Sequence, residues 1–420
     1  MNKSYPKYLK RNVIDHIIEP IPSRKYSQLV VIPALDELEY VEDTLNSIAG
    51  NSAESLLDTA VIVVVNNSAN TPNEKVDNNQ ELLRLFRTHV LDCATKINLF
   101  WIDASSTGLE IQGDGGVGTA RKIGMDGMLP FLTNEALIFS LDADTLVSDN
   151  YLSAARGWFD DNPTIPTGVI HFEHRFDSDN TKQAIIDYEL FMRQFTIGLR
   201  QINSWYDYYS IGSAIVIRSV DYVKAGGMRI KNGGEDFYFM QAARKIGSVG
   251  GINSTTVYPS ARVSDRVDFG TGPKMQQLVD GDEIRGYNPE VFQATLSLFK
   301  IVDHLDPEQF EFLSEAFEAE LPIVACQFFS DSNFNKVWGK VYRNTPKTVE
   351  KLVGAFHIWF DALRTLRFVH HLEEGDPVTY GRIPIADAYR CMADLYQLGI
   401  PDEMYATHES LLIWLRDNRM

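Results

Sequence analysis

Two carboxylates that follow a buried strand are the side chains best suited to chemistry. Asp142 and Asp144 follow the apolar run 136–139 by a few residues. The run predicts a strand whose carboxyl end lies where open α/β sheets bind ligands. Carboxylate oxygens are hard ligands that suit Mg²⁺ or Mn²⁺. The pattern predicts a metal site, in which both aspartates chelate the ion or one holds it while the other meets water or ligand. The alternative is an ordinary turn that leads into a helix near Ser148.

A second acidic pair follows two glycines. Gly233 and Gly234 allow a sharp turn, and Glu235 and Asp236 then occupy the first turn of a predicted helix. Acidic residues are common there because they complement the helix dipole, so a structural role stays open. Together with the first pair, however, they would suit transfer of a sugar from a nucleotide diphosphate. The metal would offset the charge of the departing diphosphate, and a carboxylate would take the proton of an acceptor hydroxyl.

A glycine-rich loop lies before these motifs. Gly113, Gly115 and Gly118 fit the dinucleotide fingerprint G-x-G-x-x-G, but the polar segment 105–112 separates them from the preceding strand. We therefore expect no nicotinamide or flavin site. Such a loop can still bind phosphate through backbone N–H groups at a helix start, and Arg121 could add a charged donor.

The elements that must position these residues follow an α/β pattern up to about residue 260. A helix is predicted over 38–48, and strands are predicted over 29–33, 61–65, 97–102, 136–141, 167–172 and 214–217. Beyond about residue 285 helical patterns dominate. There an apolar stripe from Val349 to Leu366 has the spacing of one helix face, typical of core or a subunit interface. We expect an N-terminal extension (1–27), an α/β domain (28–284) and a mainly helical C-terminal region (285–420).

Composition excludes several classes of protein. The net charge of −18 and the sequence pI of about 4.9 oppose nonspecific binding to nucleic acid or to an anionic membrane. Cys93, Cys326 and Cys391 form neither a disulfide framework nor a zinc pattern. No stretch approaches the roughly 18 to 20 apolar residues that span a bilayer. We expect a soluble cytoplasmic protein without a transmembrane segment.

With these motifs in order, the chain resembles the inverting glycosyltransferases of family 2 over roughly residues 28–270. The similar segments are 31–37, 63–68, 118–124, 140–145, 212–218 with 225–228, and 234–236. The resemblance implies the GT-A fold, a Rossmann-like mixed sheet flanked by helices, with Mn²⁺ or Mg²⁺ as cofactor and a nucleotide sugar as donor. The Gln-x-x-Arg-Trp signature of processive relatives is absent, so we expect one sugar to be added per encounter.

The resemblance also implies roles for individual residues. Donor contacts would come from Pro33, Ala34, Glu37, Asn66, Arg121 and Asp142. Of these, Arg121 would approach the diphosphate. Asp144 and Asp142 would hold the metal, Asp236 would be the catalytic base, and Glu235 is the fallback for that role.

The chain departs from the family pattern at the nucleoside site. Leu35 replaces the usual aromatic residue, and Asn66 replaces an aspartate that accepts from the nucleobase. Because asparagine is both donor and acceptor, UDP-sugar and GDP-sugar donors both stay open, and the acceptor is unknown.

A further departure concerns the late metal ligand and the predicted lid. No histidine lies between residues 245 and 303, and Asp265 could replace the histidine ligand of some relatives. Arg266 and Lys274 are candidates for diphosphate contacts around the glycine-containing segment 268–274, which predicts a mobile lid. The alternative for that segment is a surface turn.

Two other classes of function stay open. A sugar-phosphate nucleotidyltransferase would need a glycine-rich, arginine-containing loop after the first strand, and residues 33–36 do not provide it. A catalytically silent binding or scaffold protein would keep the fold and recruit partners through the helical region. That region could also form a homodimer interface or an acceptor pocket.

Overall fold

The computed structural model describes residues 4–88, 91–113, 116–176, 178–231, 233–263 and 271–420. The chain forms two compact units. The first comprises Met1–Ile185, Tyr208–Gly281 and Arg419, and the second comprises Ile186–Asp207, Asp282–Asn418 and Met420. The grouping of residues 186–207 with the later helices was not predicted from the sequence, and the boundaries proposed at residues 27 and 284 stay predictions.

A nine-stranded mixed sheet forms the centre of the first unit. Its strands are β1 (Ile18–Glu19), β2 (Tyr26–Ala34), β3 (Thr59–Asn66), β4 (Asn98–Ala104), β5 (Leu132–Ser140), β6 (Leu146–Val147), β7 (Thr167–Phe172), β8 (Ile215–Arg218) and β9 (Val249–Tyr258). Their order across the sheet is β1-β4-β3-β2-β5-β8-β7-β9-β6. The strands β2 to β5 pair in parallel, and β8 is antiparallel to β5 and β7.

The first unit also contains several helices. They are α1 (Ser4–Arg11), α2 (Val41–Ala49), α3 (Ala53–Leu57), α4 (Asn73–Thr88), α5 (Val117–Met128), α6 (Tyr151–Asp161), the start of α7 (Asp179–Gln201), α8 (Ser219–Ala225), α9 (Glu235–Arg244) and α10 (Thr271–Val279). All eight residues of β3 are buried. A continuous apolar strand of this kind is typical of a parallel sheet covered on both faces.

The winding of the sheet explains where the polar residues meet. From β2 the chain proceeds to β3 and β4 on one side, whereas β5 pairs with the other side of β2. The carboxyl ends of β2 and β5 are therefore neighbours, and the Leu141 N–H donates to the Val31 carbonyl at 3.1 Å. Ligands of open α/β sheets bind at such a reversal of strand order.

The second unit is mainly helical. After the end of α7 it contains α11 (Glu290–His304), α12 (Leu313–Glu320), α13 (Ile323–Asp331), α14 (Phe334–Asn344), α15 (Val349–Trp359), α16 (Ala362–Gly375), α17 (Pro377–Tyr380), α18 (Ile385–Tyr396) and α19 (His408–Asp417), with a small pair of strands, β10 (Arg285–Gly286) and β11 (Ile383–Pro384). Aromatic side chains of these helices pack closely, as where Phe317 meets Phe329 at 4.5 Å between ring centroids.

The prediction of one continuous helical stripe from Val349 to Leu366 is wrong. The chain leaves the helix after Trp359, and Asp361 caps the next helix by accepting from the Arg364 N–H at 3.2 Å. Within the stripe, Leu352, Phe356, Trp359 and Phe360 are buried, whereas Val349 is exposed.

The predicted fold class, an α/β unit with a mixed sheet flanked by helices and a mainly helical region after it, is confirmed. Each of the six predicted strands overlaps an observed one. The sequence did not reveal β9, because two adjacent glycines, Gly250 and Gly251, and the polar residues 253–256 leave it without an apolar run. Among the described helices, none combines the length and the apolar character needed to cross a membrane.

Candidate active site

The turn after β5 holds the first acidic pair. Asp142 and Asp144 lie on either side of Ala143, whose carbonyl accepts a hydrogen bond from the buried Thr44 hydroxyl at 2.8 Å. Helix α6 begins only at Tyr151, so neither aspartate caps it. The tertiary contact from α2 therefore fixes the turn, and both carboxylates project from an ordered backbone.

Arg121, on α5, joins this turn to the second acidic pair. Its side chain is 3% exposed. The guanidinium donates to Ser140 Oγ at 2.6 Å, to Asp142 Oδ1 at 2.5 Å and to Glu235 Oε1 at 3.3 Å. Charge-assisted hydrogen bonds of a planar guanidinium fix both distance and orientation. Residues that are more than 90 positions apart in sequence thus share one buried cation.

Two glycines make room for this bridge. A Cβ atom at Gly212 would lie 2.5 Å from Arg121 Nη2. At Gly118 it would lie 2.8 Å from the Glu235 Cβ and 2.5 Å from the Arg229 carbonyl oxygen. Because such distances are shorter than van der Waals contact, any side chain at either position would move the bridge.

A second arginine holds Asp144. Arg262 Nε donates to Asp144 Oδ2 at 2.7 Å, and Arg262 Nη2 donates to Glu37 Oε2 at 2.5 Å. The same guanidinium lies 3.9 Å from the centroid of the Tyr40 ring. Burial raises the pKa of Asp144, Arg262 opposes that rise, and Asp142 adds to it. Asp144 and Glu37, which leave neighbouring strands, are therefore tied through one cation.

The second acidic pair opens α9 as predicted. Gly234 precedes the helix with φ at 65°, in the left-handed region that glycine tolerates. Glu235 is buried and Asp236 is half-buried, with Asp236 Oδ1 accepting from the Phe237 N–H at 2.7 Å. Burial, then the charge of Glu235, raises the pKa of Asp236 to about 7. A carboxyl group with such a pKa can exchange a proton near neutral pH.

The predicted nucleoside contacts lie at the ends of β2 and β3. Pro33 and Ala34 are buried at the end of β2, and Asn66 is the last residue of β3. The buried Asn79 spans the two strands, since its Oδ1 accepts from the Asp36 N–H and its Nδ2 donates to the Asn66 carbonyl, both at 3.0 Å. Among the described residues, Asn66 Oδ1 has no hydrogen-bond partner, although it is buried. A buried acceptor of this kind suits an N–H group of a ligand.

The chemistry of the donor set fits a small divalent cation. Asp142 and Asp144 supply hard oxygen ligands from one turn, and Mg²⁺ is commonly held by one or two carboxylates together with substrate phosphates and water. Among the described residues, no three His, Cys, Asp or Glu side chains gather as a metal-binding group. A metal held here would therefore take its remaining ligands from substrate and water.

The remaining predicted site residues belong to the segments around the predicted lid and the glycine-rich loop. Lys274 lies on α10, where its Nζ donates to Gln277 Oε1 at 3.1 Å. Asp265 and Arg266 lie outside the described residues, as do Gly115 of the glycine-rich loop and residues 268–270 of the predicted lid.

Several residues of the site had no role predicted from the sequence. Ser140 and Gly212 lie inside motifs that were recognised, but their contact with Arg121 depends on tertiary packing. Arg262 follows β9, a strand that was not predicted. Arg175 Nη2 also reaches the Asp144 carbonyl oxygen at 3.1 Å, and no local pattern announces that contact.

A separate cavity of about 440 Å³ lies beside the amino-terminal half of β4. Its lining includes Tyr26, Phe86, Phe100 and Trp101. The acidic residues lie at the carboxyl ends of β2 and β5, so this cavity is not part of the candidate active site.

Comparisons with known proteins give structural similarity only. No protein-family model and no curated protein sequence matches the chain. The structure is similar to TarS from S. aureus in complex with UDP-GlcNAc, with a TM-score of 0.40 and 13% identity over 93% of this chain and 90% of that one. It is also similar to the mannosyltransferase PcManGT from Pyrobaculum calidifontis in complex with GDP-Man and Mn²⁺, with a TM-score of 0.39 and 15% identity over 86% and 93% of the two chains. A likeness this weak does not establish a shared activity.

Proposed function

We propose that this chain is a non-processive, metal-dependent glycosyltransferase. It would move a sugar from a nucleotide-diphosphate sugar to an acceptor hydroxyl with inversion at the anomeric carbon. The observation that carries the proposal is the Arg121 bridge, which joins Asp142 of the predicted metal turn to Glu235 beside the predicted base. Two acidic pairs with different tasks are thereby held at one edge of the sheet, where such folds bind ligands.

The donor's nucleoside would lie against the ends of β2 and β3. The buried Asn66 Oδ1 can accept from a ring N–H of uracil or guanine, which would satisfy its missing partner. Asn79 supports this position by holding the backbone of both strands. UDP and GDP both fit this requirement, so the base has to be determined by measurement.

Asp144 and Asp142 would hold Mn²⁺ or Mg²⁺, which offsets the negative charge of a diphosphate leaving group. Asp236 would accept the proton of the acceptor hydroxyl. The hydroxyl oxygen forms a bond to the anomeric carbon, the bond from that carbon to the diphosphate oxygen breaks, and the nucleoside diphosphate leaves with the electron pair. Because the pKa of Asp236 is raised to about 7, its carboxylate is a stronger base than an ordinary aspartate.

We assign Arg121 a positioning role. Its guanidinium is enclosed and donates to three protein oxygens, which favours holding the two acidic pairs over direct contact with diphosphate. Since Arg121 contacts Asp142 and Glu235 together, its loss would disturb donor binding and proton transfer at the same time.

Thermal-shift measurements test the proposal with UDP, GDP and dTDP, each with and without Mn²⁺. A ligand that binds only the native state raises the melting temperature, so we expect at least one nucleotide to stabilise the protein more with Mn²⁺ than without it. Nucleotide stabilisation without sugar transfer would support the scaffold alternative. Absence of any nucleotide effect would contradict the proposed donor site.

A further inference from the structure

We propose that Arg262 competes with the divalent cation for Asp144, so that the metal site is latched by the protein's own cation before donor binds. This inference rests on the proposed function, because it takes Asp144 as the principal metal ligand. It adds a regulatory property of this chain's site, namely that metal binding requires Arg262 to leave.

The contacts of Arg262 place it where a metal would have to bind. Its Nε donates to Asp144 Oδ2 at 2.7 Å, and the side chains of Arg262 and Asp144 are 20% and 13% exposed. Burial strengthens the attraction between the two charges, since little water screens them. A guanidinium hydrogen-bonded to this carboxylate blocks one metal-binding oxygen and repels a second cation.

The other contacts of Arg262 allow it to release Asp144 without losing all its partners. Arg262 Nη2 donates to Glu37 Oε2 at 2.5 Å, and the guanidinium lies 3.9 Å from the Tyr40 ring centroid. Both partners belong to the segment after β2, whereas Asp144 follows β5. Release from Asp144 therefore leaves a charged partner and an aromatic face in place.

This arrangement has a consequence for the order of binding. Without nucleotide, a metal must displace Arg262 and gains only the carboxylates and water. A bound diphosphate supplies additional oxygen ligands to the metal, which offset the loss of the contact between Arg262 and Asp144. Metal should therefore bind weakly alone and more tightly with nucleotide, and Arg262 should be responsible for part of that difference.

Calorimetric titration of the full chain with MnCl₂ in the absence of nucleotide tests the latch. Arg262→Gln removes the competing charge, and we expect Mn²⁺ affinity to rise about tenfold, the effect of losing one charge-assisted hydrogen bond. Arg84→Gln is the matched control, because it removes an arginine from the exposed ion pair with Glu81. The control should leave Mn²⁺ affinity unchanged.

Glu37→Gln supplies a second variant with the opposite expectation. Without Glu37, Arg262 loses the partner that it would keep after release, so Mn²⁺ affinity should fall. In the double variant with Arg262→Gln this effect should shrink, and a double-mutant cycle measures the coupling. A Glu37 effect of equal size in both backgrounds would contradict the latch.

Unchanged or weaker Mn²⁺ binding by Arg262→Gln would overturn the proposal, as would absence of binding in both wild type and variant. Asp144→Asn should abolish the tight binding seen in Arg262→Gln, and its persistence would place the metal elsewhere. Sugar transfer is measured separately. If the Arg262 effect is found but no donor is consumed, the latch stands and the proposed function fails.

Discussion

The carboxyl group of Asp236 is half-buried and lies beside Glu235. Burial, together with the negative charge of Glu235, raises the pKa of Asp236 to about 7. Asp236→Asn keeps the shape of the side chain and removes its basicity. We expect sugar transfer to fall by roughly 10²- to 10⁴-fold, the contribution of general-base catalysis. Nucleotide binding should change little, because the metal turn follows β5 whereas Asp236 lies on α9. Steady-state rates and nucleotide titrations check both parts, and near-normal transfer in Asp236→Asn with loss in Glu235→Gln would exchange the two roles.

The raised pKa also predicts how activity depends on pH. The base must be deprotonated, so kcat/KM should rise with pH through about 7 and then level off. Glu235 raises the pKa of Asp236 through its negative charge, and Glu235→Gln should move the midpoint to lower pH. A pH–rate profile that is flat between pH 6 and 8 would contradict Asp236 as the base.

The positions of candidate site residues could be predicted from the sequence where they belong to a motif. The hydrogen-bond partners of those residues could not be predicted. The positions of Asp142, Asp144, Glu235 and Asp236 follow from local patterns of strand, glycine and helix start. The position of Arg121 between Asp142 and Glu235, in contrast, depends on the packing of α5 against β5 and α9. The roles proposed for these residues are still predictions.

At the scale of elements, the site depends on helix α5 and the loop before β8 approaching each other closely. Gly212→Ala would place a Cβ atom 2.5 Å from Arg121 Nη2, which forces the guanidinium away from Asp142. We expect both a higher KM for donor and a lower kcat. Gly157→Ala is the matched control, because a Cβ there meets nothing within 4 Å. Equal kinetics for Gly212→Ala and wild type would contradict the positioning role.

The amino-terminal helix α1 is fixed to the first unit by a buried polar network. The Tyr8 hydroxyl donates to the fully buried Asp126 at 2.9 Å, and Tyr222 and Lys122 also donate to that carboxylate, at 2.7 and 2.6 Å. Tyr8→Phe should lower the free energy of unfolding by about 1 to 3 kcal/mol, the effect of one hydrogen bond to a buried charged group. Urea denaturation measures it, with Tyr342→Phe at a half-exposed tyrosine as control, and equal stability of the two variants would contradict a stabilising network.

Element types were predictable where hydrophobic periodicity is strong. The segments 29–33, 61–65 and 136–139, which lie in β2, β3 and β5, are apolar throughout, so their burial follows from the sequence. The polar, glycine-containing β9 has no such signal, and its pairing with β7 depends on the completed sheet. The break before α16 was missed because the apolar residues keep helical spacing on both sides of Asp361, which hides the end of one helix and the start of the next.

At the scale of the whole molecule, binding of metal and nucleotide should raise the melting temperature of the protein. Asp144→Ala removes the principal proposed metal ligand, and we expect the Mn²⁺-dependent rise in melting temperature with nucleoside diphosphate to disappear. Asp142→Ala should weaken the effect less, because Asp144 is the principal proposed ligand. Unchanged metal-dependent stabilisation in Asp144→Ala would place the metal at other ligands.

The division into two units was only partly foreseen. A helical carboxyl-terminal region follows from the apolar spacing after residue 285, but the inclusion of residues 186–207 depends on contacts distant in sequence, such as Arg416 with the buried Glu189 at 2.6 Å. Whether the second unit forms a dimer interface or binds the acceptor stays a prediction.

Proton NMR of the first sugar released from a nucleotide sugar tests the central claim most directly. Purified protein with Mn²⁺ is incubated with α-linked UDP-sugars and GDP-sugars. Water serves as the acceptor, so the reaction measured is hydrolysis of the donor. We expect release of the nucleoside diphosphate and first appearance of the β-anomer before mutarotation, with turnover lost in Asp236→Asn. First appearance of the α-anomer would contradict inversion, and no consumption of any donor would contradict the glycosyltransferase assignment itself.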